Sequence, residues 1–376
     1  MTQTNIVVSP ATDAFAKTAR LRIGVDVGGT KIEGVLVNAD EHALRGGVGV
    51  RVLDSVRVPA RRGEHQVVED VSAVVNAMMH SAAALHASDD NDSGLSRFVG
   101  VGIGTPGRVD SAAGVVENIA NLDVSRLDLS NEIGAACGLS VRVENDVNAA
   151  ALGAYALISR GNHVGHDVNI SADTDDTVAF LNLGTGLAAG ILRNGRLDHG
   201  SSGVVGEIGH IPVERHRWQC PCGQCGCLET AAGGGAIIRQ WPQANPPMPD
   251  VLAKASDPSS PDYELAVDVK QTVIGAIADA IDILAVTVDP RVIMIGGGTA
   301  RTGEPLMAAI QEELCRREKN SRFIESLHLC DRYFWCRVLS RSARSEPRCR
   351  RSRNRQTITI QPSIRKESAS WRKSSL

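Results

Sequence analysis

The period of hydrophobic positions changes abruptly near residue 21. The residues before it are polar and unpatterned, which predicts a frayed tail over 1–20. From Leu21 apolar residues alternate with others through Ile23, Val25 and Val27, break at Gly28-Gly29-Thr30-Lys31, and resume from Ile32 to Val37. That pattern predicts a strand, a turn and a returning strand. Spacing of three and four predicts a helix from Gln66 to Leu85, ending in the polar loop Ser88 to Gly94. Phe98 to Gly104 reads as a buried strand entering the turn Thr105-Pro106-Gly107, and Val141 to Glu144 as another. Asp146 to Ile158 is an Ala-rich helix, followed by a polar loop from Arg160 to Asp176. Val178 to Leu183 and Leu187 to Leu192 make a second strand–turn–strand around Gly184-Thr185-Gly186. Glu264 to Val288 has the period of a long amphipathic helix, with the strand Val292 to Ile295 and three glycines after it.

A chain of 376 residues is long enough for two domains, and scarce aromatics with plentiful Gly, Ala and Val suit an α/β protein. The reading finds no apolar run of membrane-spanning length, so it predicts a soluble, cytoplasmic protein without a membrane partner. The net charge of −3 hides an asymmetry. From Cys315 onward there are about seventeen Lys/Arg against about five Asp/Glu, so the preceding part is distinctly acidic.

The two glycine turns occupy equivalent places, one in each half. Such turns let backbone N–H groups approach phosphate oxygens, because glycine has no Cβ to block them. A single turn of this kind is also a plain tight hairpin; a pair suggests a nucleotide clamped between duplicated domains. Gly297 and Gly298 follow a buried strand, where a helix N-terminus could receive the nucleotide. Asp26 could hold Mg²⁺ through water while Lys31 neutralises phosphate charge. Asp146 lies at a strand–helix junction, where α/β folds present catalytic groups. It could accept a proton from an attacking hydroxyl, or simply cap the helix together with Asn145. The densest chemistry follows: Glu207-x-x-His210, then Cys220-x-Cys222-Gly-Gln-Cys225-Gly-Cys227-x-Glu229. His210, Cys220, Cys222 and Cys227 form a Cys3His set of the kind that holds structural zinc, with Cys225 a rival ligand. The alternatives are a disulfide cluster or free buried thiols.

Five segments taken together, Asp26–Lys31, Glu144–Asn148, Leu183–Gly186, Gly206–His210 and Cys220–Glu229, resemble the ROK family of sugar kinases and repressors, in that family's order. The resemblance implies an actin-like ATPase fold: duplicated α/β domains, 21–142 and 143–313, with the active site in the cleft between them. It implies ATP, Mg²⁺ and structural Zn²⁺, with Asp146 as catalytic base in phosphoryl transfer to a sugar hydroxyl. Nucleotide contacts would come from Asp26, Gly28, Gly29, Thr30, Lys31, Gly184, Thr185, Gly186, Gly297 and Gly298. Asn145, Glu207, His210 and Glu229 would hold the sugar, with Gly107, Arg108 and Asn121 on the opposite rim. Within the family, glucose phosphorylated at its 6-hydroxyl is the leading substrate, N-acetylmannosamine or another hexose the alternative. A dimer or tetramer is expected.

Repressors of this family carry a winged helix-turn-helix ahead of the sugar-binding part. About twenty residues precede the first strand, too few for that module, so DNA is not expected as a partner. After about Leu314 the family pattern gives way to a basic tail over 314–376, lacking the usual terminal Gly-Ala-x-Gly-Ala-Ala helix. A tail that no longer covers the second domain would leave a folded or half-folded sugar-binding protein without turnover. Codons for Arg341 to Cys349, read two nucleotides later, permit Val-Gly-Ala-Ile-Gly-Ala-Ala-Leu, which points to a frameshift between roughly Leu314 and Tyr333; the alternative is a divergent natural tail. Resequencing the gene is expected to reveal this second frame. An intact frame with no such alternative would eliminate the idea.

Overall fold

The computed structural model describes residues 4–8, 21–38, 51–85, 98–158, 176–213, 218–329, 333–335 and 356–360. The predicted loops 88–94 and 160–175 lie outside them, as does most of the chain after 329. Within the expected N-terminal tail, β1 (Thr4–Val8) instead pairs antiparallel with the late strand Gln356–Ile360. Both segments are runs of mostly β-branched residues, a signal too short to stand out from a polar context.

Two five-stranded sheets repeat one connectivity. In the first, β2 (Leu21–Val27) and β3 (Lys31–Asn38) form an antiparallel hairpin, with β4 (Arg51–Pro59) beyond β3. On the other side β5 (Phe98–Thr105) and then β9 (Val141–Asn145) run parallel to β2. Between them β6 (Arg108–Asp110), β7 (Val115–Ile119) and β8 (Val124–Leu127) make a small antiparallel flap. The second sheet is built likewise. β10 (Thr177–Leu183) and β11 (Leu187–Arg193) are the hairpin, and β12 (Arg196–Leu197) lies outside β11. β13 (Val292–Gly296) and β14 (Tyr333–Trp335) run parallel on the far side. The duplicated α/β architecture expected from the paired glycine turns is therefore present, each turn closing the hairpin of its own sheet.

Side-chain alternation builds separate cores on the two faces of the second sheet. Val178 and Phe180 of β10 face one side, Ala179 and Leu181 the other. In the first sheet Leu21, Ile23, Val25 and Val27 pack with Val67, Val71, Val74 and Met78 of α1 (Glu64–Leu85) and with Leu129 and Ile133 of α2 (Leu129–Cys137). The helix α3 (Asp146–Ile158) begins at the end of β9 yet buries Val147, Ala151 and Ala154 against Val178, Phe180 and Leu192 of the second sheet. Its small side chains permit a tight seat: a Cβ at Gly190 of β11 would lie 2.5 Å from that of Ala151.

Beyond the second hairpin come α4 (Glu229–Ala232), α5 (Gly234–Gln240), α6 (Pro247–Lys254) and α7 (Tyr263–Val288). The expectation of no membrane-length apolar run is corrected here, because α7 is long and apolar enough to cross a membrane, with a mean hydropathy of 1.6. Its apolar length is explained by burial: Val269, Val273, Ile277, Ile281 and Leu284 lie in the core of the second half. After β13 the helix α8 (Glu304–Asn320) returns over α7, followed by the single turn α9 (Arg322–Glu325). Arg317 of α8 reaches Asp279 at 2.8 Å, Asp282 at 2.6 Å and Glu313 at 2.8 Å. Leu314 and Leu329 are buried in the same core. Two of the basic residues after Leu314 are thus structural, since Arg316 and Arg317 both bind Glu313 and hold its carboxyl down to about 2.

A candidate kinase cleft

Turns of both sheets and the start of α4 bring Asp26 and Glu207 within electrostatic reach of Asp146, and His210 and Glu229 within reach of Glu207. The β2–β3 turn carries Gly28 to Lys31, closed by the Gly28 N–H donating to the Lys31 carbonyl at 2.9 Å. Thr30 holds its neighbour by accepting the Ala60 N–H at 3.1 Å, and Lys31 pairs with Glu33 at 3.6 Å. Asn121, in a 3₁₀ turn at Ala120–Leu122, lies against Gly29, where a Cβ would come within 3.0 Å of it. Gly107 (φ +96) starts the flap, while Arg108 points to Glu117 at 4.0 Å and is largely exposed.

At the β9–α3 junction, Asn145 accepts the N–H groups of Val147 at 3.0 Å and Asn148 at 3.2 Å. Asp146 also accepts the Val147 N–H, at 2.9 Å. The capping geometry is therefore real for both residues, and it leaves the second Asp146 oxygen without a partner in these bonds. Opposite stands the β10–β11 turn. A Cβ at Gly297 (φ +97) would lie 2.5 Å from the Leu183 carbonyl oxygen, so the third glycine cluster forms one floor with Gly184–Gly186. The first turn of α5 joins that floor, Gly234 and Gly235 donating to the carbonyls of Gly184 at 2.8 Å and Thr185 at 3.0 Å.

Close backbone approach sets the remaining residues. The segment Gly206 to His210 lies directly on β11: Ala189 donates to the Gly206 carbonyl at 2.8 Å, and any Cβ at Gly206 or Gly209 would strike a β11 carbonyl. Glu207 and His210 project from this clamp. Glu229, first residue of α4, passes over Gly186, whose absent Cβ makes room for its carboxylate, and accepts the Leu187 N–H at 3.4 Å.

The donor atoms of His210, Cys220, Cys222 and Cys227 lie within 4.8 Å of one another. The Cys220 sulfur is 3.7 Å from His210 Nδ1, and the sulfurs of Cys222 and Cys227 are 3.7 Å apart. Those separations match the edges of a tetrahedron around a zinc-sized ion, about 3.8 Å for Zn–S bonds of roughly 2.3 Å. Nδ1 of His210 is the ring nitrogen that faces the thiols. Cys225, the rival ligand, is turned away, its thiol donating to Gln219 Oε1 at 3.3 Å. The Gln224 N–H holds the Cys222 thiol down to about 6, whereas burial pushes Cys227 up to about 12. Sequence reasoning missed Asn182, beside both Gly184 and Gly297, and the polar group around Glu144. Asn182 lies within an apolar strand as one polar residue before a glycine turn; that is the signal that could have found it.

The model of the ROK family matches residues 22–329, running past Leu314 and through α8 and α9. A glucokinase of Streptomyces coelicolor is 30% identical over 312 residues, covering 79% of this chain and 87% of that one. The crystal structure of a ROK family glucokinase from Streptomyces griseus, in complex with glucose and AMPPNP, is similar with a TM-score of 0.58. It is 31% identical and covers 79% of this chain and 89% of that chain. A ROK family transcriptional regulator, a homolog of the E. coli MLC protein, is similar with a TM-score of 0.63 at 27% identity, covering 84% of this chain and 73% of the regulator.

Three carboxyls of the cleft are displaced upward. Burial raises Asp146, against the lowering effect of the Val147 N–H and its own. Asp26 is raised by the surrounding protein and then by Asp146, with Lys31 opposing. Glu207 is raised by burial, with His210 opposing and Asp146 and Glu229 adding. An acid whose folded-state value is raised favours the fold while protonated, below its ordinary value near 3.8 for Asp146, and this stability is lost as pH rises through the raised value. Asp146→Asn is accordingly expected to melt higher than the parent chain near pH 7, with the gap closing toward about pH 4. Equal melting temperatures at both pH values would show that ionised Asp146 does not strain the fold.

Proposed function

This chain belongs to the ROK family, and we propose that it acts there as a glucokinase, moving the γ-phosphoryl group of ATP to the 6-hydroxyl of glucose. That it is an ATP-dependent sugar kinase rests on the family match and on its similarity to ROK glucokinases. The observation that supports the mechanism is that Asp146, from the first half, lies within electrostatic reach of both Asp26, before the first glycine turn, and Glu207, from the second half. In this reading the phosphates lie between Gly28–Lys31 and Gly184–Gly186, and the nucleoside extends toward Gly297 and Gly298. Asn145, Glu207, His210 and Glu229 hold the sugar ring, with Gly107, Arg108 and Asn121 on the far rim. Asp146 takes the proton of the attacking hydroxyl as that oxygen bonds to the γ-phosphorus, and the bond to the bridging oxygen of ADP breaks. Its upward-shifted carboxyl makes it a stronger base than an ordinary aspartate.

Asp26, a carboxylate looking onto the phosphate space beside Lys31, would hold Mg²⁺ through water, and the ion would supply charge neutralisation between the phosphates. The Cys3His set fits zinc by donor chemistry and by spacing. The metal would be structural, and through Nδ1 it would fix the imidazole of His210 so that Nε2 meets a sugar hydroxyl. The likeness to a transcriptional regulator favours a second reading, a sugar-binding protein without turnover.

A coupled assay for ATP-dependent phosphorylation across a hexose panel that includes N-acetylmannosamine tests the first reading. Turnover of glucose is expected, falling by about 10³-fold or more in Asp146→Asn. Turnover of another hexose alone would replace the substrate. Silence combined with a glucose-induced rise in melting temperature would establish the second reading. Metal analysis should find zinc at parity with the chain, retained in Cys225→Ser and lost in Cys220→Ser. Its removal by a chelator should lower the melting temperature, and an unchanged melt would rule out a structural metal.

A further inference from the structure

The segment that brings Glu207 and His210 to the cleft begins at Asp198, after β12, and so hangs from the second sheet. A contact near its start crosses to the first. His199 Nε2 lies 2.9 Å from Glu144 Oε2, at the end of β9. The same oxygen accepts the Ser111 hydroxyl at 2.8 Å, from the turn after β6. The other oxygen accepts the Asn145 N–H at 2.9 Å and the Asn148 amide at 3.2 Å. One carboxylate thus gathers four donors: from the flap, from the end of β9, from the first turn of α3 and from the loop of the opposite half. It immediately precedes Asn145 and Asp146. The base of the loop is held separately: Asp198 accepts Arg193 Nε at 2.7 Å and the Gly200 N–H at 3.1 Å.

We infer that His199 is a positioning residue for the sugar site. By donating to Glu144 it sets the distance between the loop that carries Glu207 and His210 and the junction that carries Asn145 and Asp146. This rests on the kinase reading of the cleft. A sugar gripped from both sides binds tightly only if the two sides keep their spacing before it arrives, since ordering them on binding costs affinity. The pair suits that task. Glu144 is well shielded, its side chain 17% exposed against 39% for His199, and a hydrogen bond to a shielded carboxylate is stronger than a surface ion pair. No sugar contact is needed from His199 itself.

The test uses the full chain in three variants: His199→Ala, His199→Gln and Arg193→Ala. Glutamine keeps an N–H donor at similar reach, whereas Arg193→Ala removes an ion pair from the same loop without touching the crossing. His199→Ala is expected to raise the KM for the phosphorylated sugar about tenfold, the effect of one charge-assisted hydrogen bond, with a smaller fall in kcat. His199→Gln should recover most of this, and Arg193→Ala should stay within about twofold of the parent. Amide hydrogen exchange over residues 199–210 and 145–150 should quicken in His199→Ala alone. A KM unmoved in His199→Ala, an equal effect in Arg193→Ala, or no rescue by glutamine would each overturn the assignment. If the parent chain phosphorylates no sugar, the kinase reading fails by itself and exchange decides the tether. Unchanged protection in His199→Ala rejects it, and faster exchange reversed by glutamine upholds it.

Discussion

The cleft depends on one helix that starts in one sheet and packs on the other. α3 grows directly out of β9, so its first residues are fixed by the hydrogen bonds of the first sheet. Its apolar face is buried against the second sheet. Asn145 and Asp146 sit where these obligations meet. A larger residue than alanine at 151 would meet the backbone of β11 at Gly190, and at 149 the helix passes Gly104 of β5 in ordinary contact, a Cβ there lying 3.4 Å from that of Ala149. The Ala-rich composition of α3 follows from this double seating more than from helix propensity. Any sliding of the helix would move Asp146 relative to the second sheet, so packing of small side chains fixes where that carboxyl stands.

The other wall is set by backbone contact with a single strand. β11 takes the Gly206–His210 segment against its carbonyls, and Gly186, just before it, clears space for Glu229. Three glycines therefore aim three polar side chains, while Leu187, Ala189, Ile208 and Leu228 beside them anchor the same segments in the core of the second half. The cysteine cluster completes the wall: it lies between Glu207 and Glu229 in the chain and shares His210 with the cleft. A short, loop-rich segment gains order most readily from a tetrahedral ion, because four ligands restrict it at once.

Much of this was legible in the chain. Alternation marked β2 and apolar runs the second hairpin, three-and-four spacing marked α1 and α7, and glycine turns at matching places announced the duplication. Element ends shifted by one or two residues, as with β9 reaching Asn145 and α1 beginning at Glu64. The Cys3His set was legible because its ligands are close in sequence, yet only geometry separates Cys225 from Cys222 and Cys227. Long-range polar contacts left no such trace. Nothing periodic links Ser111, Glu144 and His199, and a lone histidine in a glycine-rich loop has no pattern of its own. Arg317 was hidden in the same way. It reads as part of a basic tail, but its guanidinium binds Asp279 and Asp282 of a helix distant in sequence. Charge asymmetry along a chain says little about charge pairing in space.

The electrostatics of the cleft run against stability. Asp26, Asp146 and Glu207 are each harder to ionise in the fold than in an unfolded chain, and Asp146 and Glu229 aggravate the others. A protein selected only for stability would not gather these groups, since like charges at close range repel; Asp26 and Glu207 keep exposed side chains, and Asp146 is the half-buried one. The arrangement makes sense if the space between them receives partners of the complementary kind: hydroxyl donors facing Glu207, Glu229 and Asp146, and a cation beside Asp26. A polyhydroxylated ring satisfies carboxylates with several hydrogen bonds at once, and a sugar epimer that misses one leaves a carboxylate without its partner. Strain in the empty cleft and selectivity in the filled one then have the same source. The tether at Glu144 matters for that reason, because the opposing walls must meet around the ligand instead of relaxing apart to relieve their own repulsion.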